Sequence, residues 1–254
     1  MDVKATVQQQ FTQVAVNYRT SSVHALGSDL QQMVALAALT GDEDVLDAGC
    51  GAGHTAMAFA PHVHQVVAYD FTESMLEQVR SVAEERQLIN VLTKQGDVES
   101  LPFPDAVFDL IVSRYSAHHW PHPVQALREF HRVLKPRGRL ILDDIVSWDD
   151  APVLDTFLQS IELIRDPSHV RDHSPSQWLE MFNRAGFAAQ LTLQWNLPLA
   201  FIPWVERMRT PAVQVDVLKR LMAGGSAEVQ AAFAIESNCN FSIPSAIFMA
   251  EKRS

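Results

Sequence analysis

Apolar residues at Val3, Val7, Phe11, Val14 and Tyr18 recur at intervals of four, four, three and four, which marks one face of a helix. A second helix is expected from Ser28, with Gln31 completing a capping box and Gly41 as the stop. Its apolar face would be Leu30, Met33, Val34, Ala37 and Ala38. Beyond it the period changes. Short apolar runs ending at Leu46, and over Gln65–Tyr69, Ile89–Thr93, Phe108–Ser113 and Leu134–Leu142, predict five strands. Helical patterns fall between them. One starts near His54; a second follows Thr72, with Met75, Leu76, Val79 and Ala83 inward; a third starts at Pro123. Strands alternating with helices imply an α/β fold whose parallel sheet is covered on both faces. Residues 151–222 break the alternation with further helical pattern. There Ser174 is a cap, Pro175 the first helical residue and Gly186 a stop. Strand-like runs return at Phe187–Trp195 and Phe241–Ala250.

The first strand hands over to its helix through Val45–Gly53, V-L-D-A-G-C-G-A-G. Gly49, Gly51 and Gly53 allow left-handed backbone and let a ligand lie against the bare chain, beside a helix N-terminus. A dinucleotide fingerprint needs a third glycine where His54 stands, and a phosphate loop needs a lysine that does not follow until Lys94. Asp47, two places before the first glycine, would repel a pyrophosphate and suits a cationic ligand such as S-adenosylmethionine, with its sulfonium and ammonium groups. Asp70 lies 21 residues after Gly49, at the end of the second strand, a separation at which a carboxylate meets ribose hydroxyls.

On these motifs the chain resembles the class I S-adenosylmethionine-dependent methyltransferases. Among them it is most similar to the small-molecule branch of the ubiquinone and menaquinone C-methyltransferases and their unassigned bacterial relatives. The resemblance runs over roughly residues 10–250. It implies a Rossmann-like, seven-stranded, mostly parallel sheet with an antiparallel closing strand, and helices on both faces. In this single domain, 1–41 and the helical segments 147–186 and 200–237 would cap a core at 42–146, with closing strands at 187–199 and 238–254. The cofactor set it implies is Asp47, Gly49, Cys50, Gly51 and Gly53, then Asp70, Phe71 and Met75, then Asp97, Val98 and Ser113. Asp97 would accept from the adenine amino group, while Cys50 is a small filler of the loop.

Composition narrows the acceptor. The 254 residues are 47% hydrophobic, ample for a core, and carry a net charge of −10 with a pI near 5.4. An acidic chain is a poor partner for nucleic acid, so a small molecule is favoured. Two cysteines, no apolar leader and no spanning run of eighteen apolar residues lead to the expectation of a cytoplasmic protein, off the membrane, as monomer or homodimer.

The acceptor-side chemistry is sought in Ser113–His122, S-R-Y-S-A-H-H-W-P-H, just past the fourth strand. Arg114, His118 and His119 are its catalytic candidates, histidine being the commonest general base near neutrality. His118, His119 and His122 also raise a metal question, but no nearby carboxylate or cysteine completes a set, and no metal is expected. Arg165, His169 and Arg171 either cap the preceding helix or converge with Arg114 on an anionic or phenolic acceptor. Tyr18 and Trp204 are candidate pocket walls, with plain packing as the alternative. Two other classes stay open: an inactive cofactor-binding sensor or partner subunit, and a nicotinamide-dependent oxidoreductase, which His54 disfavours.

Overall fold

The structure is a computed structural model that describes residues 3–19 and 27–253. Seven strands form one sheet in the order β3-β2-β1-β4-β5-β7-β6. They are β1 (Asp44–Ala48), β2 (Gln65–Asp70), β3 (Val91–Gln95), β4 (Phe108–Arg114), β5 (Leu134–Ile145), β6 (Phe187–Leu199) and β7 (Phe241–Lys252). The first five pair in parallel, and β7 runs antiparallel between β5 and β6. Strand order reverses between β1 and β4, so a crevice opens at their carboxyl ends. Val45–Ala48 are all buried, because helices cover both faces there and no alternation with polar residues is needed.

The helices are α1 (Val3–Arg19), α2 (Ser28–Leu36), α3 (His54–Phe59), α4 (Glu73–Glu85), α5 (Pro123–Val133), α6 (Pro152–Arg165), α7 (Pro175–Arg184), α8 (Phe201–Arg207), α9 (Ala212–Gly224) and α10 (Ala227–Ala232). One core packs Phe130, Trp178, Phe182 and Phe248 beneath the sheet, and another packs Met57, Phe59, Leu76 and Val79 above it. A third joins Leu158 and Ile161 to Trp204, Leu218, Met222 and Phe233, and so seats the inserted helices at the sheet's carboxyl end.

Local signals held where the capping chemistry is self-contained. Ser174 and Gln177 form a reciprocal capping box ahead of Pro175, and Gly186 ends α7 at φ +94°. The box expected at Ser28 does not form: Gly27 occupies the cap position, without a side-chain bond, and α2 ends at Leu36 rather than Gly41. Glu43 instead gathers the Thr40 and Gly41 amides and the Thr40 hydroxyl into the turn that follows. The third strand begins two residues later than expected, since the Asn90 side chain donates to the Ala60 and Val63 carbonyls and leaves Ile89 97% exposed.

A buried ion cluster ties the cap to the sheet. Arg114, at the end of β4, places Nε 2.5 Å from Asp29 of α2 and 3.6 Å from Asp143 of β5, and all three side chains are at most 4% exposed. Removing the cation strands two buried carboxylates. Arg114→Ala is expected to lower stability by about 3–5 kcal/mol, read as a shifted urea midpoint.

Candidate functional site

The β1–α3 turn is sewn to the end of β2. The Gly49 and Cys50 amides both donate to the Tyr69 carbonyl, at 2.8 and 3.0 Å, and the Gly51 amide donates to Asp70 Oδ2 at 2.8 Å. Gly49, Gly51 and Gly53 have φ of +73°, +50° and +88°. A Cβ on Gly49 would lie 2.0 Å from Ser116 Oγ, so the loop and the segment after β4 touch backbone to side chain. Gly53 caps α3 over Val79, and Ser113 Oγ donates to the Ala48 carbonyl at 2.7 Å, which clamps β1 to β4 at the crevice.

A cavity with about 950 Å³ of empty volume, part of it open to solvent, lies over this turn. Gly49, Cys50, Gly51, Asp70, Phe71, Met75, Asp97 and Val98 line it, as does His119. Asp70 also accepts from the Thr72 amide at 2.8 Å; burial nevertheless raises its pKa to about 6, against the pull of these amides. The Phe71 amide and the Thr72 hydroxyl also favour the ionised form of Asp70. Asp47 is 1% exposed behind the loop, and neither of its oxygens has a hydrogen-bond partner among the described residues. Burial, with the charge of Asp70, pushes it up to about 7, while the Ala56 amide, pointing toward it without closing a hydrogen bond, and Arg114 act the other way. An orphaned buried carboxylate beside a glycine cradle fits a ligand that brings its own positive charge. Lys4, not foreseen from the sequence, reaches from α1 to Asp97 and Glu99 at 2.5 and 2.6 Å.

A second cavity, of about 470 Å³ empty volume, adjoins the first: Tyr18 and Tyr115 line both. Tyr115 sits just past β4 at φ +50°, a costly conformation for an aromatic residue. Ile145, Leu197, Leu199 and Ile243 supply apolar wall; His118, Glu162, Arg165, Asp172 and Arg207 supply charge. Arg165 donates to the Trp204 carbonyl at 3.0 Å, stacks 4.9 Å over that indole and pairs with Glu162 at 3.0 Å. Thus Tyr18, Arg165 and Trp204 meet as wall residues of one chamber. Arg114 lines the first cavity but is held by Asp29 and Asp143. His169 and Arg171 line neither cavity: His169 bonds Gln159 and Arg171 pairs with Asp155 at 2.8 Å.

The adjacent histidines have different partners. His118 Nδ1 lies 2.6 Å from Asp144 Oδ1, and Asp144 also receives the amides of Ala117, His118 and Ile145. Burial disfavours the His118 cation, but Asp144, with Asp172 and Glu162 behind it, outweighs burial and lifts the pKa to about 9. His119 Nδ1 faces the Ser168 carbonyl at 3.0 Å, so it must carry the proton and leave Nε2 with a lone pair. Burial and the neighbouring His118 charge hold His119 well below the ordinary histidine value. His122 stands apart, its amide donating to Glu99 at the start of α5. Among the described residues no three His, Cys, Asp or Glu are arranged to hold a metal ion. No helix among them is long and apolar enough to cross a membrane.

Comparison with known proteins agrees with this geometry. Residues 46–142 match the methyltransferase domain family. The chain is 42% identical over 235 residues to the uncharacterised methyltransferase YcgJ of Bacillus subtilis, with 92% of each chain covered. The crystal structure of YcgJ superposes with a TM-score of 0.86 at 39% identity, over 89% of this chain and 99% of that one. A demethylmenaquinone methyltransferase of Lactiplantibacillus plantarum is 32% identical over 156 residues, covering 58% of this chain and 65% of the relative. On these relatives, S-adenosylmethionine is the cofactor, and the chain belongs to the class I S-adenosylmethionine-dependent methyltransferases, related to the quinone C-methyltransferases.

Proposed function

We propose that the acceptor is a small molecule with an anionic or phenolic group, bound in the second cavity and methylated across the Tyr18–Tyr115 junction. The observation that carries this reading is that junction: one aromatic pair walls both the cofactor cavity and a chamber of apolar sides with a buried guanidinium. Bound S-adenosylmethionine supplies an electrophilic methyl group on a sulfonium. The protein's part is to align, to dry the site and to handle a proton. Asp47 takes the ammonium group, Asp70 the ribose hydroxyls, and Asp97 the adenine amino group, with Lys4 beside it. Trp204 and Tyr18 flank the acceptor, and Arg165 sets the sign of charge the chamber accepts. Of the two histidines, His118, charged against Asp144, is suited to hold an anionic oxygen, while His119, kept neutral by burial and by the His118 charge, offers a hydrogen-bond acceptor rather than a strong base.

Binding the cation favours ionised Asp47, whose pKa in the free protein is about 7. Affinity for S-adenosylmethionine is therefore expected to climb by as much as about tenfold per pH unit up to that value and then flatten. Calorimetry in buffers of different ionisation heat reads the proton released below pH 7, and Asp47→Asn should remove the part of the release and slope near pH 7, leaving the part that Asp70 contributes near pH 6.

Transfer of labelled methyl groups to a panel of metabolites tests the acceptor. Phenolic and carboxylated compounds should turn over; labelling confined to amines would refute the charge assignment. Trp204→Ala should raise the acceptor KM by about tenfold or more, the loss of a large aromatic wall, while the affinity for S-adenosylhomocysteine stays put.

A further inference from the structure

Four residues on one face of α1, Lys4, Val7, Phe11 and Tyr18, line the cofactor cavity. The Lys4 ammonium lies 2.5 Å from Asp97 Oδ2 and 2.6 Å from Glu99 Oε2. Neither acid is loose. The other oxygen of Asp97 accepts the Glu99 amide at 2.9 Å, and the Asp97 carbonyl accepts from the Tyr69 hydroxyl at 3.2 Å. Glu99 is 4% exposed, and its Oε1 accepts the His122 amide at 2.7 Å. Burial disfavours the Lys4 cation, but its bonds to Asp97 and Glu99 outweigh burial and raise its pKa, so the group stays a donor. The cavity wall thus presents a hydrogen-bond acceptor, Asp97 Oδ2, directly beside a cationic donor, Lys4 Nζ. Val7, Phe71 and Val98 add apolar wall to the same cavity.

Adenine carries the complementary pair. Its 6-amino group donates, and the ring nitrogens that flank it, N1 and N7, accept. N7 belongs to the five-membered ring that carries the ribose, whereas N1 lies on the far edge. A base reaching from a ribose at Asp70, the end of β2, to Asp97, just beyond the end of β3, leads with that far edge.

We propose that Lys4 selects the base of the cofactor: its ammonium donates to adenine N1 while Asp97 accepts from the 6-amino group. The proposal rests on Asp97 meeting that amino group, and it adds the residue that reads the neighbouring ring nitrogen. An ammonium has three N–H donors on one rotatable bond, so Lys4 can turn one to the base and keep Glu99. A base with the opposite pattern is rejected. Guanine and hypoxanthine set a ring N–H against Lys4 and a carbonyl oxygen against Asp97, so donor meets donor and acceptor meets acceptor. The reader stands on α1, so the helix that covers the cavity gains a contact from the base it selects.

The test is calorimetric titration of the full chain with S-adenosylhomocysteine and with analogues altered at one position of the base. The 1-deaza analogue, with C–H in place of N1, should bind the parent about tenfold or more weakly, since a charged donor loses its acceptor. The 7-deaza and 3-deaza analogues should stay within about threefold of S-adenosylhomocysteine. Lys4→Met should bind S-adenosylhomocysteine about tenfold more weakly and no longer discriminate against the 1-deaza analogue. Lys4→Arg, which keeps a cationic donor, should restore that discrimination. A lysine that merely held α1 down would, once replaced, weaken every analogue alike and leave the discrimination intact. Persistence of the N1 discrimination in Lys4→Met would hand the ring nitrogen to another donor, such as the Val98 amide, and overturn the proposal. Equal affinity of the parent for S-adenosylhomocysteine and the 1-deaza analogue would do the same. The analogue without the 6-amino group separates the two levels. If it binds the parent as tightly as S-adenosylhomocysteine, the Asp97 reading falls; if it binds weakly while the 1-deaza analogue does not, only the assignment of Lys4 falls.

Discussion

Two backbone amides sharing one carbonyl set the geometry of this protein's active end. Gly49 and Cys50 both donate to Tyr69, and the next amide, that of Gly51, reaches the Asp70 carboxylate. This joins the exit of the first strand to the exit of the second, so the loop cannot drift from the edge where Asp70 waits. The turn that does so needs left-handed backbone at alternate positions, which glycine gives without the Cβ clash other residues suffer. The same absence of Cβ admits Ser116 from the neighbouring strand's exit. A ligand over this turn therefore meets three strand ends at once, which is why the sheet's order reversal coincides with the binding crevice.

Charge is managed around that crevice by leaving selected groups incomplete. Arg114 is fully engaged with Asp29 and Asp143 and serves to hold α2 on the sheet. Asp47 and Asp172 are the reverse case, buried side chains with carboxyl oxygens that accept no hydrogen bond among the described residues, one behind the glycine turn and one on the wall of the second cavity. Burying such groups costs stability. Lys4 adds a third variation, because the helix that carries it also covers the pocket.

His118 and His119 show how little residue identity says about protonation. They are neighbours in one turn, with rings 4.2 Å apart. One faces a carboxylate reinforced by three amides and is held charged; the other faces a carbonyl, which only accepts, and the charge of its neighbour helps keep it neutral. The pair can thus offer a donor and an acceptor side by side, a division of labour available only because their partners come from β5 and from the loop after α6.

What the sequence determined by itself was everything whose cause is local. Glycine spacing and Asp47 gave the turn, and the 21-residue step to Asp70 gave the end of the second strand. Proline at the first helical position and a Ser174–Gln177 box placed helix starts, because φ restriction and cap bonds act within four residues. At Ser28 the same motif gave no box, because Gly27 took the cap position. Only the tertiary structure decided which long polar side chains face a ligand. Arg114 and Arg171 read as binding residues until Asp29, Asp143 and Asp155 were found against them, partners supplied by other elements. His122 read as the third member of a histidine cluster whose third ring is in fact His169. Lys4 and Arg207 gave no motif at all, since each owes its place to a helix folded over the crevice. Helix periods and turn chemistry are written in neighbouring residues, but the partner of a buried charge is chosen by packing across the whole chain, and that choice separates a tie from a site.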